Sequence, residues 1–134
     1  MGKKILVLFL VWAAVLILGG CGFVHIEEEE KTPLDYTVLK AEEIPKEVLS
    51  LIEGKKTKEF QMTYQSVEDL YLVKGYGQQT TGGYSIQVEE LGVTNKAVFF
   101  KTKLLGPQEA DPGSEPSYPY IVVKIKYRKE PVQF

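Results

Sequence analysis

Residues 59–76 read EFQMTYQSVEDLYLVKGY, and the spacing of their apolar side chains decides the fold class. Phe60, Met62 and Tyr64 alternate with polar residues, a period of two that is typical of a half-buried β-strand. Residues 70–73 are apolar without interruption and rich in strand-forming side chains, which indicates a central strand. This stretch therefore predicts two strands of a β-sheet, one of them central.

A single amphipathic helix is predicted before these strands. Its apolar residues follow the i, i+4, i+7, i+8 spacing of one helix face: Ile44, Val48, Leu51 and Ile52. Pro45 suits the first turn and Gly54 suits the end, which predicts a helix over Pro45–Glu53. Three cations follow it: Lys55, Lys56 and Lys58. Cations are stabilising at the negative, C-terminal end of the helix dipole, which is one interpretation of these lysines. The alternative interpretation is a binding patch.

Further strands are predicted on both sides of this region. Three later segments carry apolar, strand-like patterns: Tyr84–Val88, Ala97–Leu104 and Ile121–Tyr127. A short strand, Tyr36–Leu39, precedes the helix. About six strands and one short amphipathic helix predict an α+β domain that is mainly an antiparallel sheet, with a β-sandwich as the alternative. The residues expected to face the core are Ile86, Val88, Ile121, Val123 and Ile125.

Two loops rich in glycine or proline interrupt the strands, Gly75–Tyr84 and Gly106–Tyr120. The first contains Gly-x-Gly, but no lysine follows at P-loop spacing and a strand follows instead of a helix, which argues against phosphate binding. One interpretation is a hairpin loop whose glycines adopt positive φ angles, and the other is that the loop also contacts a partner. Four of the eight tyrosines lie in or beside these loops: Tyr76, Tyr84, Tyr118 and Tyr120. Because tyrosine favours both strands and interfaces, their clustering is compatible with either interpretation.

The inventory of reactive side chains argues against catalysis. Cys21 and His25 are the only cysteine and histidine, and both precede the predicted domain. Ser-His-Asp and Cys-His machinery is thereby excluded, as are ordinary zinc sites. We expect no catalytic residue, no metal and no cofactor. A Ser–Lys pair or two carboxylates from distant residues are the enzymatic alternatives.

The N-terminal segment has the layout of a secretory signal. Lys3 and Lys4 precede the uncharged, apolar segment Ile5–Leu18, which is too short for a comfortable membrane-spanning helix. Residues 1–20 are therefore predicted to be a signal peptide, and an uncleaved anchor helix is the alternative. Either interpretation places the rest of the chain outside the cytoplasmic membrane.

Residues 21–33 are predicted to form a tether. Glu27–Glu30 is a run of four like charges, which repel one another and favour an extended segment. Two of the 16 basic residues lie in residues 1–20, so the processed chain has 14 basic and 18 acidic residues and a net charge of −4. An acidic domain lacks the basic face that nucleic acid requires, and nucleic acid is not expected as a partner.

Leu18-Gly19-Gly20-Cys21 resembles the lipobox of bacterial lipoproteins. In that family the cysteine thiol receives a diacylglyceryl group, and the signal is cut immediately before it. The resemblance implies a protein anchored by lipid at Cys21 on the extracytoplasmic face of a bacterial membrane. Two acyl chains give stable anchoring, whereas one chain binds reversibly.

Two further segments resemble the PrcB-type protease-complex subunit domain. Residues 71–86 are similar to its first signature, in which a strand leads to Gly-x-x-x-Thr-Gly-Gly-Tyr-Ser. Residues 105–107 and 116–124 resemble its second signature. The family is named after a lipoprotein that supports a secreted subtilisin-like protease complex and is not itself catalytic. The resemblance implies a PrcB-like domain over residues 34–134.

The resemblance also implies a function and a set of partner-binding residues. We expect a non-catalytic lipoprotein that binds and supports a secreted subtilisin-like protease or another envelope protein. The candidate residues lie in the two loops: Tyr76, Gln78, Gln79, Thr80, Thr81, Gly82, Gly83, Tyr84, Ser117, Tyr118 and Tyr120. A weaker similarity links Thr80-Thr81-Gly82 to a loop of chagasin-like cysteine-protease inhibitors, which are β-sandwiches. The alternative function is therefore a protease inhibitor that acts through the two loops.

Overall fold

Two four-stranded sheets and one α-helix are built from residues 30–108 and 115–134, which are the residues that the computed structural model describes. The strands are β1 (Thr32–Pro33), β2 (Thr37–Val38), β3 (Glu59–Gln65), β4 (Asp69–Tyr76), β5 (Ser85–Val93), β6 (Val98–Leu105), β7 (Tyr120–Lys126) and β8 (Val132–Gln133). Helix α1 covers Lys46–Glu53 and follows a single 3-10 turn, Ala41–Glu43. The outer sheet has the order β1-β5-β6-β8, and the helix-covered sheet has the order β2-β7-β4-β3. Every neighbouring pair is antiparallel except β6 and β8.

Strands β4 and β7 form the centre of the helix-covered sheet. They pair in a register that places Leu72 opposite Val123, and both side chains are fully buried against the outer sheet. The alternate side chains of the same strands, Val73 and Val122, are buried on the other face under the helix. A strand covered on both faces needs apolar residues at consecutive positions, which explains the uninterrupted apolar run at residues 70–73. The central strand is confirmed.

Helix α1 packs one narrow row of side chains on this sheet. Val48 and Ile52 of α1 are buried against β4 and β7, as is Ile44, which precedes the helix. Leu51, which was expected on the same face, is 42% exposed, and that expectation is wrong. A helix that touches a single sheet buries mainly the i, i+4 row, and position 51 lies about 100° around the helix from position 52. Pro45 is the N-cap residue, so the helix begins one residue later than predicted.

The outer sheet buries only its inner face. Val98 and Phe100 of β6 are buried between the sheets, and Ile86 and Val88 of β5 are half-buried against the same core. The intervening side chains, such as Lys101, are exposed. The five residues expected to face the core do so: Ile86, Val88, Ile121, Val123 and Ile125. The mainly antiparallel fold with one helix is confirmed, and its two sheets pack as in the sandwich alternative.

Three of the eight strands have only two residues each, and their extents differ from the predictions. The strand predicted over Tyr36–Leu39 is reduced to Thr37–Val38. Thr32 and Pro33, assigned to the tether from sequence, pair with Val93 and Gly92 of β5. Val132–Gln133 pairs with β6, and the Phe134 ring packs edge-on against Phe100 at 5.9 Å between centroids. Two residues carry no periodicity, so no pattern in the sequence indicates β1 or β8.

Several predictions concern segments outside the described residues. These are the signal peptide over residues 1–20, the lipid attachment at Cys21 and most of the tether. Residues 109–114 of the second loop also lie outside them. Within residues 30–108 and 115–134, no helix is both long enough and apolar enough to cross a membrane.

Candidate functional site

The first loop connects the two sheets. Strand β4 ends at Tyr76 in the helix-covered sheet, and β5 begins at Ser85 in the outer sheet. The expected hairpin is therefore wrong, because a hairpin joins two paired strands and these strands are not paired. The alternating pattern shows that both segments are strands, but it does not show which strands pair with each other.

The second loop returns to the same place and bonds to the first. The Gln79 N–H donates to the Ser117 carbonyl at 2.8 Å, and the Ser117 N–H donates to the Gln79 carbonyl at 3.0 Å. The Ser117 hydroxyl donates to the Thr81 carbonyl at 2.6 Å. The Tyr76 N–H donates to the Pro119 carbonyl at 3.0 Å. Residues 76–84 and 115–119 thus form one surface, which we call the paired-loop surface.

Two glycines in the first loop have backbone conformations that disfavour side chains. Gly77 has φ 74° and Gly83 has φ 84°. A Cβ at Gly77 would also lie 2.9 Å from the Glu59 backbone nitrogen. Gly82 does not have a positive φ, and among the described residues no heavy atom beyond its two chain neighbours lies within 4 Å of the position its Cβ would occupy. The interpretation that glycines supply positive φ is confirmed for Gly77 and Gly83 and wrong for Gly75 and Gly82.

Gly75 has a packing function that no pattern in the sequence indicates. It lies opposite Phe60 in the β3–β4 pair, and a Cβ added there would overlap the Phe60 ring. The missing side chain lets that ring lie over the β4 backbone just before the loop. Gly75 therefore accommodates neighbouring packing, whereas Gly77 supplies a backbone conformation.

The turn after α1 forms one border of the paired-loop surface. The Gln78 N–H donates to the Thr57 carbonyl at 3.3 Å. The Lys56 ammonium lies 5.2 Å from the centroid of the Tyr118 ring and forms a 2.9 Å salt bridge with Glu53. The hydrogen bond that the Lys56 ammonium donates to the Glu53 carboxylate raises the pKa of Lys56, so Lys56 is a cation beside the loops at neutral pH. The position of Lys56 after the helix predicts an interaction with the helix dipole or, alternatively, a binding patch, and only the tertiary structure places it beside Tyr118.

Tyr76 links the two sheets at the start of the first loop. Its hydroxyl hydrogen-bonds to the Thr102 hydroxyl of β6 at 2.5 Å. The Lys74 ammonium lies 5.2 Å from the centroid of the Tyr76 ring and bonds to the Glu59 carboxylate at 2.9 Å. This bond lowers the pKa of Glu59. The half-buried Tyr76 therefore stabilises the junction between sheets.

The remaining candidate residues differ in their accessibility. Exposed candidates are Gln78, Thr80 and Gly83, while the half-buried ones are Gln79, Thr81, Gly82, Tyr84, Ser117, Tyr118 and Tyr120. Tyr120 packs against the residues under α1 and lines a cleft of about 330 Å³. It therefore contributes to the helix-facing layer, and the four loop tyrosines do not form a single aromatic cluster.

Residues 70–126 match the family model described as PrcB C-terminal. This segment belongs to the PrcB C-terminal family. The match begins in β4 and ends with β7, so the PrcB C-terminal segment contains both loops and four of the longer strands, whereas α1 and β3 precede it. None of the curated proteins and none of the solved structures matches the chain.

The chemistry of this surface is suited to recognition. Among the described residues, no group of three or more His, Cys, Asp or Glu side chains is placed to hold a metal ion. The paired loops present amides, hydroxyls and the partly accessible ring of Tyr118, with Lys56 at their border. Such groups form hydrogen bonds and aromatic contacts, which are typical of protein interfaces.

Proposed function

We propose that this chain is a non-catalytic lipoprotein, anchored through Cys21 on the extracytoplasmic face of a bacterial membrane. There it binds and supports a secreted subtilisin-like protease or another envelope protein. The observation that carries the proposal is the direct bonding between Gln79 and Ser117. It joins the two segments that resemble the PrcB-type signatures into one surface.

The bonding of the loops also favours binding energetically. Four hydrogen bonds hold the surface together, between Gln79 and Ser117, from Ser117 to Thr81 and from Tyr76 to Pro119. A surface that is ordered before it meets its partner loses less conformational entropy on binding. The half-buried Tyr118 has a rigid ring of large area, which is the kind of side chain that dominates interface energies.

Binding is tested by substituting Tyr118 and measuring affinity for the partner isolated from envelope extract. Truncation of an interface hot spot costs about 2 kcal/mol or more, so Tyr118→Ala is expected to weaken binding roughly 30-fold. Tyr127→Ala is the matched control, because Tyr127 is 45% exposed beyond the opposite end of β7. Equal affinities for the two variants, with both folded, would show that the paired-loop surface is not the binding site.

The direction of the functional effect distinguishes support from inhibition. The captured protease is assayed with the wild-type chain, with Tyr118→Ala and without any addition. A supporting subunit is expected to raise or prolong the activity, and Tyr118→Ala should lose this effect. A decrease in activity would identify the chagasin-like inhibitor instead.

Anchoring is tested separately through Cys21. The intact mass of the protein from the membrane fraction is expected to correspond to a chain that begins at a diacylglyceryl-modified Cys21. Cys21→Ser is expected to accumulate as an unprocessed precursor without lipid. A mature chain with an unmodified cysteine would overturn the anchoring proposal and leave the binding proposal intact.

A further inference from the structure

The four edge strands of the two sheets are protected very differently. Strands β1, β2 and β8 have two residues each, and Pro33 and Pro131 lie within or next to two of them. Strand β3 forms the fourth edge and has seven residues. Its sequence, EFQMTYQ, contains no proline or lysine. Natural proteins usually protect long edges with such residues or with bulges, because an open edge can pair with another strand.

The outer side of β3 has no strand beside it among the described residues. All seven residues pair with β4, from Glu59 opposite Tyr76 to Gln65 opposite Leu70. The hairpin closes through the Ser66 N–H, which donates to the Asp69 carbonyl at 2.9 Å. Within residues 30–108 and 115–134, no backbone hydrogen bond joins β3 to a segment other than β4. The strand therefore presents an available hydrogen-bonding edge.

We propose that β3 pairs in antiparallel fashion with β3 of a second copy of this chain, about a two-fold axis at Met62. This register uses all seven residues of both strands, whereas a shift in either direction leaves residues unpaired. It also places α1 of both copies on the same face of the joined sheet, because opposite residues in an antiparallel pair share a face. The two helix-covered sheets would become one sheet of eight strands.

The sequence of β3 is complementary to itself in this register. Phe60 lies opposite Tyr64 of the second copy, an aromatic pair of the kind that stabilises antiparallel sheets. On the other face, Gln61 lies opposite Thr63 of the second copy, and two polar groups can hydrogen-bond. Glu59, the one charged residue of the strand, lies opposite Gln65 of the second copy. No like charges oppose each other, so the strand is compatible with an isologous contact, which requires a self-complementary surface.

The association is tested on the full chain by sedimentation equilibrium in a density-matched detergent. The wild-type protein is expected to have twice the mass of one chain. The double variant Gln61→Lys/Thr63→Lys places lysines directly opposite each other in the dimer, and it is expected to be monomeric. Both positions are exposed, and a far-UV circular dichroism spectrum equal to that of the wild type, recorded well below the melting transition, verifies the fold. The control Ser85→Lys/Gln133→Lys adds the same charges at exposed positions of the outer sheet and is expected to remain dimeric.

The register is tested by disulfide formation between two single-cysteine chains, both carrying Cys21→Ser. Gln61→Cys and Thr63→Cys are expected to cross-link when the two variants are mixed and oxidised. Neither variant alone should do so, because the equivalent cysteines would then lie diagonally across the pair, beyond disulfide reach. A wild-type monomer, a dimer that survives the two lysines, or cross-links that do not require mixing would each overturn the proposal.

Discussion

The two sheets of this protein differ in how many of their faces are covered. In the helix-covered sheet, β4 and β7 bury Leu72 and Val123 on one face and Val73 and Val122 on the other. In the outer sheet, β5 and β6 bury one face and expose the other. The comparison shows that an uninterrupted apolar run indicates a strand covered on both faces, here with α1 as the second covering layer. An alternating pattern reports the boundary between core and solvent.

The largest expected effect tests this comparison at the centre of the core. Leu72 is fully buried between the sheets, and Leu72→Ala is expected to lower the free energy of unfolding by ~2–5 kcal/mol, because it removes buried methyl groups and leaves a cavity. Leu105 lies on the exposed face of β6, and Leu105→Ala should change stability by less than ~0.5 kcal/mol. Urea denaturation measures both. Similar losses would mean that the outer face of β6 contributes as much to stability as the core between the sheets.

An intermediate effect is expected within the first loop, where two glycines have different surroundings. Gly77→Ala places a side chain at positive φ and close to the Glu59 backbone, which should cost ~1–3 kcal/mol. Gly82 does not have a positive φ, and a Cβ there would meet no atom of the described residues beyond its chain neighbours, so we expect Gly82→Ala to be neutral or slightly stabilising. The two melting temperatures give the measurement. A larger loss for Gly82→Ala than for Gly77→Ala would contradict the loop geometry.

The smallest expected effect concerns the salt bridge between Glu59 and Lys74 at the edge of the helix-covered sheet. The pKa of Glu59 is lowered below its ordinary value of 4.5 by the hydrogen bond from Lys74. The stabilisation is therefore fully present above that ordinary value and is lost as the pH falls through the lowered pKa. Glu59→Gln should melt slightly below the wild type at pH 7, and the difference should vanish in strong acid.

The control for this prediction lies on the outer sheet. Glu89 is exposed at the β-bulge of β5, and no salt bridge involves it in the described part of the chain. Glu89→Gln should leave the pH dependence of the melting temperature unchanged. If Glu59→Gln and Glu89→Gln behaved alike, the bond to Lys74 would contribute nothing measurable, which is common for exposed ion pairs.

The longer elements could be predicted because the spacing of their apolar residues shows which of their faces are buried. Phe60, Met62 and Tyr64 alternate with polar residues because one face of β3 is buried. Val48 and Ile52 lie four residues apart because one side of α1 touches the sheet. The exposure of Leu51 could not be predicted. Leu51 is apolar and next to the buried Ile52 in the sequence, and this pattern is the same whether the sheet covers Leu51 or not. How much of a helix face is buried depends on the width of the surface that receives it.

The candidate site could be located from sequence but not assembled. The motifs containing Gln79 and Ser117 identified two loops, yet the hydrogen bonds between them join residues far apart in the chain. The position of Lys56 beside the Tyr118 ring likewise depends on tertiary contacts, because the turn after α1 and the second loop are far apart in the chain. Local patterns contain no information about such contacts, because they report burial at a position and not the identity of the neighbour.

The sequence by itself determined one helix, the five long strands, the central position of residues 70–73 and the PrcB-type signatures, because each of these is a local periodicity or a contiguous motif. Only the tertiary structure decided the division into two sheets, the two-residue strands and the crossing of the first loop. It also decided the bonding of Gln79 to Ser117. Strand pairing is selected by packing between distant segments, and the same alternating pattern satisfies many pairings until the whole core is assembled.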